Sequence, residues 1–381
     1  MLPVSRQLPT EEAADLLALT REIAQAELAT LASEYEMNSR FPREAFRMLG
    51  KAGLLSLPYD EAIGGGGQPY EVYLQALEEI AQAWLSVAVG VSVHVLSCFP
   101  VIGFGSQSQK DEHVPWMLSG ESLGAYCLSE PQSGSDAAAL STAAVREGDH
   151  YRVNGVKAWI THGGEADFYN VLVRTSGPGA RGISCLLVDA ATPGLVAATP
   201  ERKMGMTGST TAQMIFTDAI VPADRLVAGE GEGFRIAMAA LDGGRLGIAA
   251  CAVGLAQAAL DASVTYAKER RQFGKEIAQF QGIQFMLADM AAKVAAGRAL
   301  YVDAARRKDA GLPFAHHAAI AKLVATDNAM SVTTDAVQIF GGAGYTSDFP
   351  VERYMREAKV LQIVEGTNQV QRVVISRGLL Q

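Results

Sequence analysis

The sequence has 381 residues, of which 49% are hydrophobic and 19% are charged, so it can bury a large core in two or three domains. Its formal net charge of −9 argues against a nucleic-acid-binding surface, because phosphate contacts need a clustered excess of Lys and Arg. The cysteines lie far apart without a CxxC pair, which argues against a disulfide framework or a zinc site; they are Cys98, Cys127, Cys185 and Cys251.

The N-terminal region, residues 1–121, has a helical pattern. It starts without the basic and then apolar segment of a signal peptide, so we expect a cytoplasmic protein. Residues 80–109 contain no Asp, Glu, Lys or Arg and resemble a membrane span, but His94 and Pro100 dilute their apolar character. We therefore expect a buried central helix and no stable membrane insertion. Apolar residues recur at helical spacing near the start; they are Leu16, Leu17, Leu19, Ile23, Ala26 and Leu28.

The middle region, residues 122–228, is predicted to be a β domain, because β-prone runs alternate with turn residues. The runs are YRVNGVKAWITH, FYNVLVRTS, ISCLLVDA and QMIFTDAIVP. The string GPGARG at 177–182 formally matches the GxGxxG dinucleotide fingerprint. Pro178 lies inside it, however, and a β-prone run follows where a helix is required. We expect a hairpin loop there and no nicotinamide-binding unit.

The C-terminal region, residues 229–381, returns to helical patterns. Three long patterns begin at 233, 280 and 313, and their short connections predict antiparallel neighbours in a bundle. His316 and His317 are adjacent, so they point in different directions on a helix. Because no partner lies at helical spacing, we expect no metal site.

Two segments of the middle region carry groups suited to a ligand. YCLSEPQSGSDAAAL, residues 126–140, crowds hydroxyls and backbone amides into one turn that can bind an anion or a polar ring edge. The same letters are also typical of an ordinary solvent-exposed turn. In KAWITHGG, residues 157–164, Trp159 and Thr161 share one face of a strand, where the indole suits either a stacked cofactor or core packing.

Seven segments together resemble the FAD-dependent acyl-CoA dehydrogenases. In chain order they are YCLSEPQSGSD, KAWITHGG, RKMGMTGSTTAQMIFTDAIVP, LDGGRLGIAA, ERRQFGKEIAQFQGIQF, DAVQIFGGAGYT and MREAKVLQIVEGTNQVQR. The resemblance covers essentially the whole chain, and seven matches in one order are far more specific than any single one. It implies a mainly α fold with an N-terminal helical domain (1–121), a barrel-like middle β domain (122–228) and a C-terminal four-helix bundle (229–381). Such proteins are usually homotetramers, assembled as dimers of dimers.

The resemblance also implies an FAD site between the β domain and the bundle, completed by a neighbouring subunit. The residues implied at the flavin are Tyr126, Cys127, Leu128, Ser129, Gly134, Ser135, Trp159, Ile160 and Thr161. Those implied to serve the diphosphate and adenine of a partner's FAD are Arg270, Arg271, Gln272, Phe273, Phe280, Gln281, Gln338, Ile339, Phe340, Gly341 and Gly342. Those implied to close the cofactor site are Gly366, Thr367, Asn368 and Gln369. Arg270 can offer a two-pronged hydrogen bond to phosphate.

Glu365 stands behind an apolar run in AKVLQIVEGTNQVQR, residues 358–372. The valines that follow recur at helical spacing, with Thr367 or Asn368 as a plausible N-cap, so Glu365 is expected in the loop before the last helix. The residues alone allow a surface charge that complements the helix dipole. The resemblance makes Glu365 the base that removes the α-proton of an acyl thioester, while the β-hydride passes to N5 of FAD.

Two opposing influences act on the pKa of Glu365. The helix N-terminus lowers it and apolar neighbours raise it, and we expect desolvation to prevail once acyl-CoA is bound. The resemblance implies that the thioester oxygen is hydrogen-bonded by a flavin ribityl hydroxyl and by the N–H of the base. Some relatives carry the base immediately before the arginine of the LDGGR-type motif. That position is Gly244 here, which agrees with a base at 365.

The substrate passage implied by the resemblance is lined by Ser135, Asp242, Arg245, Glu365 and Gly366. The pair Asp242 and Arg245 also fits a local helix-surface ion pair. Three departures from the family pattern are visible: Ser129 where Thr is common, His162 where Asn is common, and Thr207 where Arg is frequent. We expect His162 and Thr207 to affect the surroundings of the flavin or the CoA phosphates.

The expected activity is α,β-dehydrogenation of a short-chain or branched-chain acyl-CoA to the trans-2-enoyl-CoA. Electrons would pass to an electron-transfer flavoprotein, as in fatty acid β-oxidation. A carrier-protein thioester stays open as the substrate. Two other functions stay open as well: an acyl-CoA oxidase that uses O2, and a non-catalytic partner subunit of a mixed assembly.

Overall fold

The computed structural model describes residue 4 and residues 6–380. A helical region is followed by a β region and then by a second helical region, as the sequence predicts. The expected boundaries after residues 121 and 228 remain predictions. They fall in the connections from Leu118 to Gly124 and from Val227 to Gly233, where one class of secondary structure gives way to the other.

The N-terminal region consists of helices with one irregular turn. The helices are α1 (Glu11–Ile23), α2 (Ala29–Met37), α3 (Arg43–Lys51), α4 (Tyr70–Ala83), α5 (Leu85–Phe104) and α6 (Gln107–Leu118). A π-helical turn, Ala24–Leu28, joins α1 to α2. The expected apolar stripe is partly wrong: Leu17 and Leu28 are buried, but Leu19 is 47% exposed and Ala26 is exposed. Leu19 lies two residues after Leu17, about 200° around the helix and so on the side of α1 that faces away from the core.

Helices α4 and α5 are enclosed by the rest of the protein, as expected for residues 80–109. Two helices, α5 and Gly233–Glu269, are long and apolar enough to cross a membrane by length and composition alone. In each, 89% of the most apolar window is buried inside the protein. Burial on all sides is typical of core helices in folded domains, and the four cysteines are likewise buried free thiols.

The middle region is a mixed sheet. Its strands are β1 (Gly124–Cys127), β2 (Ala143–Glu147), β3 (His150–Thr161), β4 (Phe168–Arg174), β5 (Ile183–Asp189), β6 (Leu195–Ala197), β7 (Thr211–Pro222) and β8 (Leu226–Val227). Their order is β6-β7-β3-β2-β4-β5-β8, and β1 pairs with β4. The sheet has its own apolar core, separate from the helical one.

The string GPGARG lies in the connection between β4 and β5, which pair antiparallel. The Arg174 guanidinium donates hydrogen bonds to the carbonyls of Gly177 and Gly179, at 2.7 and 3.2 Å. The predicted hairpin loop is therefore confirmed, and no helix follows the glycines to bind a dinucleotide.

The C-terminal region is built on one long helix. Its elements are α7 (Gly233–Glu269), the short hairpin strands β9 (Arg271–Gln272) and β10 (Lys275–Glu276), then α8 (Gln281–Asp309), α9 (Ala315–Phe340), α10 (Val351–Leu361) and α11 (Asn368–Leu379). Helix α7 packs against α8 and α9 and also against α4 and α5. The two helical regions therefore share a single apolar core, with α7 at its centre.

A buried glutamate on α4 links this helix to the N-terminal segment and to α8. Glu78 Oε1 accepts hydrogen bonds from Nη2 of Arg6 and from Nη2 of Arg298, both at 2.8 Å. The Tyr301 hydroxyl donates to the other oxygen. Burial alone would raise the pKa of Glu78, but the charges of Arg6 and Arg298 hold it down at about 2.

A second buried glutamate joins the N-terminal region to the sheet. Glu36 accepts hydrogen bonds from Trp84 Nε1 at 2.7 Å, from the Gly208 N–H at 2.9 Å and from the Thr207 hydroxyl at 2.8 Å. The Ser86 hydroxyl donates to it as well. Although burial opposes ionisation, these donors lower the pKa of Glu36. Thr207 therefore serves a contact between regions of the chain.

Candidate active site

The turn that carries Glu365 connects α10 to α11 in a left-handed conformation. Glu365 has φ 55° and Gly366 has φ 86°, and a non-glycine residue keeps such a value only when its surroundings impose it. Gln371 Nε2 donates hydrogen bonds to the carbonyls of Glu365 and Gly366, at 3.2 and 2.8 Å. Thr367 is the N-cap of α11, because its hydroxyl accepts from the Val370 N–H at 3.2 Å.

The Glu365 carboxylate lies against α7 at Gly244. A Cβ placed on Gly244 would come within 2.4 Å of Glu365 Oε2, so glycine is what leaves room for the carboxylate. Oε2 is buried and has no hydrogen-bond partner among the described residues. The two positions at which the resemblance allows a base therefore meet at one point in space.

The surroundings of Glu365 bring the pKa of its carboxyl group close to neutral pH. Burial raises its pKa to about 7, although the positive charges of Arg245 and Lys322 work in the opposite direction. Desolvation, which the sequence predicts to prevail once acyl-CoA is bound, already prevails in the protein by itself. A carboxylate with this pKa is well matched to proton abstraction near pH 7.

Three tyrosines lie near the carboxylate. Burial raises the pKa of Tyr70, Tyr73 and Tyr126, and the negative charge of Glu365 contributes to each rise. The Tyr70 hydroxyl donates to the Gly243 carbonyl at 3.1 Å, whereas the buried Tyr126 hydroxyl has no partner among the described residues. The phenols therefore stay neutral and border the site with polar tips.

Asp242 and Arg245, the expected substrate-passage pair, lie on either side of Gly243 and Gly244. Arg245 Nη1 is 2.7 Å from Asp242 Oδ1, and the Arg245 side chain is 8% exposed. Arg245 Nε is buried without a partner. The pair thus forms the helical ion pair that the spacing allowed, and it also borders the carboxylate of Glu365.

The two segments expected at the flavin are joined through Lys157. Its Nζ donates to the Leu128 carbonyl at 3.2 Å and to Glu130 Oε1 at 2.7 Å, and the next N–H, of Ala158, donates to the Ser129 carbonyl at 2.8 Å. The segment after β1 is therefore fixed along β3. In the same turn Gly134 and Ser135 are exposed.

Trp159 lies at an irregularity of β3. The register with β7 shifts between Lys157 and Ile160, and Trp159 adopts φ 62°, as at a β-bulge. Its side chain is 61% exposed while Ile160 is 2% exposed, and Thr161 is half-buried. The indole thus offers a free aromatic face, while Ile160 belongs to the core of the sheet.

Of the residues expected to serve a partner's FAD, those from Arg270 to Phe273 lie on the surface. Arg270 is the C-cap of α7, and Phe273, at the tip of the β9–β10 hairpin, is 93% exposed. It meets Phe280 edge-on, with ring centroids 6.0 Å apart. Gln281 opens α8, and like Gln272 it is exposed. The exposed cation of Arg270 and the exposed ring of Phe273, with the half-buried Phe280 behind it, suit a diphosphate and an adenine.

The QIFGG segment at the end of α9 divides into exposed and buried positions. Gln338, Gly341 and Gly342 are exposed, and a Cβ on either glycine would meet nothing within 4 Å. Ile339 and Phe340 are each 5% exposed. Their side chains serve the core, so a ligand at this segment would meet its glycines and Gln338.

The end of the Glu365 turn is held by a polar network. Asn368 is buried, and its Nδ2 donates to Thr326 Oγ1 at 2.9 Å and to Asp327 Oδ1 at 2.7 Å, while Gln369 is exposed. Lys322 joins this network, and the sequence analysis missed it. A signal was present, because Lys322 interrupts the buried small-residue face of α9, where an unneutralised charge is costly.

His162, which stands where the family commonly has Asn, lies in the protein core. His162 is buried, its Nδ1–H donates to the Gly124 carbonyl at 2.9 Å, and its ring meets Phe46 edge-on at 5.2 Å. Burial lowers its pKa to about 4. It therefore packs α3 against the sheet as a neutral ring.

The residues gathered around the β1 and β3 segments fit FAD. An exposed indole stands beside a turn of hydroxyls and exposed glycine, and the buried Tyr126 hydroxyl lacks a partner among the described residues. Within those residues, no cluster of three or more His, Cys, Asp or Glu side chains is suited to a metal ion.

Comparison with known proteins finds matches along the chain. Family models for the acyl-CoA dehydrogenase N-terminal, middle and C-terminal domains match residues 10–121, 125–219 and 231–380. An acyl-CoA dehydrogenase of Bacillus subtilis is 44% identical over 97% of this chain and 98% of its own. A short-chain-specific acyl-CoA dehydrogenase of Clostridium acetobutylicum is 42% identical over 94% of this chain and 95% of its own.

Solved structures agree with these matches. Butyryl-CoA dehydrogenase from Megasphaera elsdenii has a TM-score of 0.96 and 41% identity, covering 99% of this chain and 100% of its own. A chain from a study of the electron transferring flavoprotein of Acidaminococcus fermentans has a TM-score of 0.97 and 44% identity, with the same coverage. The chain, matched by all three domain models and by relatives 41–44% identical over nearly its whole length, belongs to the acyl-CoA dehydrogenase family of oxidoreductases.

Proposed function

We propose that this enzyme oxidises a short-chain acyl-CoA to its trans-2-enoyl-CoA, with Glu365 as the α-proton base. The observation that carries the proposal is the Glu365 carboxylate itself. It is packed against Gly244 with an unpartnered oxygen, and burial raises its pKa to about 7. A structural glutamate in this fold, Glu78, is instead satisfied by two arginines.

The proton step needs the ionised form of Glu365. The Cα–H bond breaks, the proton moves to the carboxylate, and the electron pair forms the new Cα–Cβ double bond. Bound acyl-CoA excludes further water, which raises the basicity of the carboxylate. The nearby charges of Arg245 and Lys322 keep an ionised fraction at neutral pH.

The thioester oxygen needs hydrogen bonds as negative charge develops on it. The N–H of Glu365 is a suitable donor, because it makes no backbone hydrogen bond within residues 6–380. The left-handed conformation at Glu365, with φ 55°, fixes the direction of that N–H. One residue would thus remove the proton and stabilise the enolate-like oxygen.

The FAD would be held by Ser129, Gly134, Trp159 and Thr161 on one side and by the Thr367 end of α11 on another. When bound, it supplies the acceptor for the hydride that leaves Cβ. The exposed Arg270, Phe273 and Gln338 groups would serve the FAD of a second subunit, which favours a homotetramer in which each site borrows residues from its neighbour.

A short acyl chain suits the packing around Gly243 and Gly247. A Cβ on Gly243 would lie 3.0 Å from the Tyr70 hydroxyl, and a Cβ on Gly247 would lie 2.1 Å from Ser92 Oγ. Helices α4 and α5 therefore close on the glycine face of α7 beside the base. The similar protein from M. elsdenii is a butyryl-CoA dehydrogenase, which points to the same chain length.

We further propose that electrons leave through an electron-transferring flavoprotein in the cytoplasm. The support is the 44%-identical chain from the study of such a flavoprotein. The four buried free thiols also suit a reducing compartment.

The test is an anaerobic titration of the purified yellow protein with butyryl-CoA, isobutyryl-CoA and octanoyl-CoA. Bleaching of the flavin band is expected with butyryl-CoA and much less with octanoyl-CoA. A yellow protein that no thioester bleaches would contradict the proposed substrate class and direct the search to carrier-bound acyl groups. A colourless protein would favour the non-catalytic subunit, and reoxidation faster with O2 than with the flavoprotein would favour the oxidase.

A further inference from the structure

Lys322 is a buried lysine beside the Glu365 turn. Its side chain is 0% exposed, and Nζ donates to the Gly366 carbonyl at 3.0 Å and to Asn368 Oδ1 at 2.9 Å. Both partners are neutral oxygens. A buried ammonium is costly when it is not compensated, so core packing alone does not account for a lysine here.

The backbone that Lys322 binds is the strained part of the turn. Glu365 and Gly366 are consecutive residues with positive φ, at 55° and 86°. Gln371 Nε2 reaches the same two carbonyls from α11, and Lys322 reaches Gly366 from α9. Donors from two helices thus fix the peptide that follows the base, as an imposed conformation requires.

The second partner of Lys322 extends this hold to the start of α11. Asn368 accepts from Lys322 through Oδ1 and donates through Nδ2 to Thr326 and Asp327. Lys322, Thr326 and Asp327 all lie on α9. One face of α9 therefore holds the turn at two points, the Gly366 carbonyl and the Asn368 side chain.

Lys322 also places a positive charge near the base. Charged or titratable groups around Glu365 come from four elements: Arg245 on α7, Lys322 on α9, Tyr70 and Tyr73 on α4, and Tyr126 on β1. Burial lowers the pKa of Lys322 to about 8, while the charges of Glu365 and Asp327 act to raise it. The ammonium form is therefore the major one at pH 7.

We propose that Lys322 is a positioning residue for the base: its hydrogen bonds to Gly366 and Asn368 hold the turn that aims the Glu365 carboxylate at Gly244, and its charge favours the ionised carboxylate. This inference rests on the proposed role of Glu365. It assigns to Lys322 no contact with substrate or cofactor.

The test compares Lys322→Met, which removes both donor and charge, with Lys322→Gln, which keeps a donor but not the charge. Lys293→Met is the matched control, because Lys293 on α8 binds Ser331 and Asp335 and lies outside the turn. Each variant is checked for bound FAD by its visible spectrum. The rate of anaerobic bleaching by butyryl-CoA is then followed from pH 5.5 to 9.5.

For Lys322→Met we expect a rate at least tenfold lower at pH 7 and an upward shift of the apparent pKa of the base. Lys322→Gln should show the same shift with a smaller loss at high pH, and Lys293→Met should match the wild type. A normally yellow Lys322→Met with an unshifted profile and a wild-type rate would overturn the proposal.

Two further outcomes are separable. If Lys322→Met does not fold, Lys322→Gln decides in the same way: a shifted profile supports positioning and an unshifted wild-type profile overturns it. If Glu365→Gln itself bleaches normally, the assignment of the base fails, and the positioning role fails with it. A dead Glu365→Gln beside a normal Lys322→Met would refute only the role of Lys322.

Discussion

Glu78 and Glu365 are both buried carboxylates at helix contacts, yet their surroundings give them opposite properties. Glu78 accepts hydrogen bonds from Arg6, Arg298 and Tyr301, and the charges of the two arginines hold its pKa at about 2 against the effect of burial. Glu365 has one oxygen without a partner among the described residues, and burial raises its pKa to about 7. Burial alone therefore does not set the pKa of an acid in this fold. The positive charges and donors that contact the carboxylate decide whether it is ionised.

The largest expected effect is on Glu365. Glu365→Gln should keep the fold and the yellow colour, because an amide fills the same space, but it cannot accept the α-proton. We expect bleaching by butyryl-CoA to slow by about three orders of magnitude or more, measured by stopped-flow absorbance. Glu352→Gln, a change on α10 at a half-buried carboxylate that pairs with Arg356, is the control. Near-normal bleaching by Glu365→Gln would show that the base is elsewhere.

Moving the carboxylate from position 365 to position 244 should preserve part of the activity. Because a Cβ on Gly244 would reach the place of the Glu365 carboxylate, Glu365→Gly combined with Gly244→Glu should restore part of the bleaching rate that Glu365→Gly loses. Gly244→Glu alone should be destabilised, since two carboxylates would compete for one space. No recovery in a folded, yellow double variant would mean that the two positions are not equivalent.

Glu78→Gln should lower the stability of the protein without affecting the proposed catalytic site. It leaves the charges of Arg6 and Arg298 buried without their acid, which costs about 3–5 kcal/mol in the free energy of urea unfolding at pH 7. The rate per bound FAD should stay close to that of the wild type. Glu71→Gln is the control on the same helix, because its partner Arg306 is half-exposed and a smaller loss is expected. Equal losses would contradict the special role of the Glu78 cluster.

The smallest expected effect is on the pH dependence of stability, to which the buried Glu357 contributes. Burial raises its pKa to about 8, above the value of about 4.3 in an unfolded chain. The folded protein therefore keeps this proton longer, and Glu357 lowers stability as the pH rises from about 4.3 toward its folded pKa. Glu357→Gln should reduce the fall of the melting temperature between pH 5 and pH 9. An unchanged fall would place that pH dependence in other groups.

Much of the architecture was predictable from sequence patterns, whereas parts of the site were not. The order of helical, β and helical regions, the hairpin at GPGARG and the loop position of Glu365 followed from periodicity and turn residues. The exposure of Leu19 was not predicted, because its apolar side chain was assigned to the buried stripe although it lies about 200° around α1 from the buried Leu17. Lys322 was missed because its partners, Gly366 and Asn368, are brought to it only by the packing of α9 against the last turn.

Helix α7 has a consequence for how the sequence can change. It runs without interruption from Gly244, which lies against Glu365, to the exposed cation at Arg270, about 39 Å at a rise of about 1.5 Å per residue. One inserted or deleted residue between these points would turn one end by about 100° relative to the other. We expect the hairpin loop at 177–182 to tolerate a change of length with little effect on the fold. The length of α7, in contrast, must stay constant, because it sets the distance and the rotation between Gly244 and Arg270.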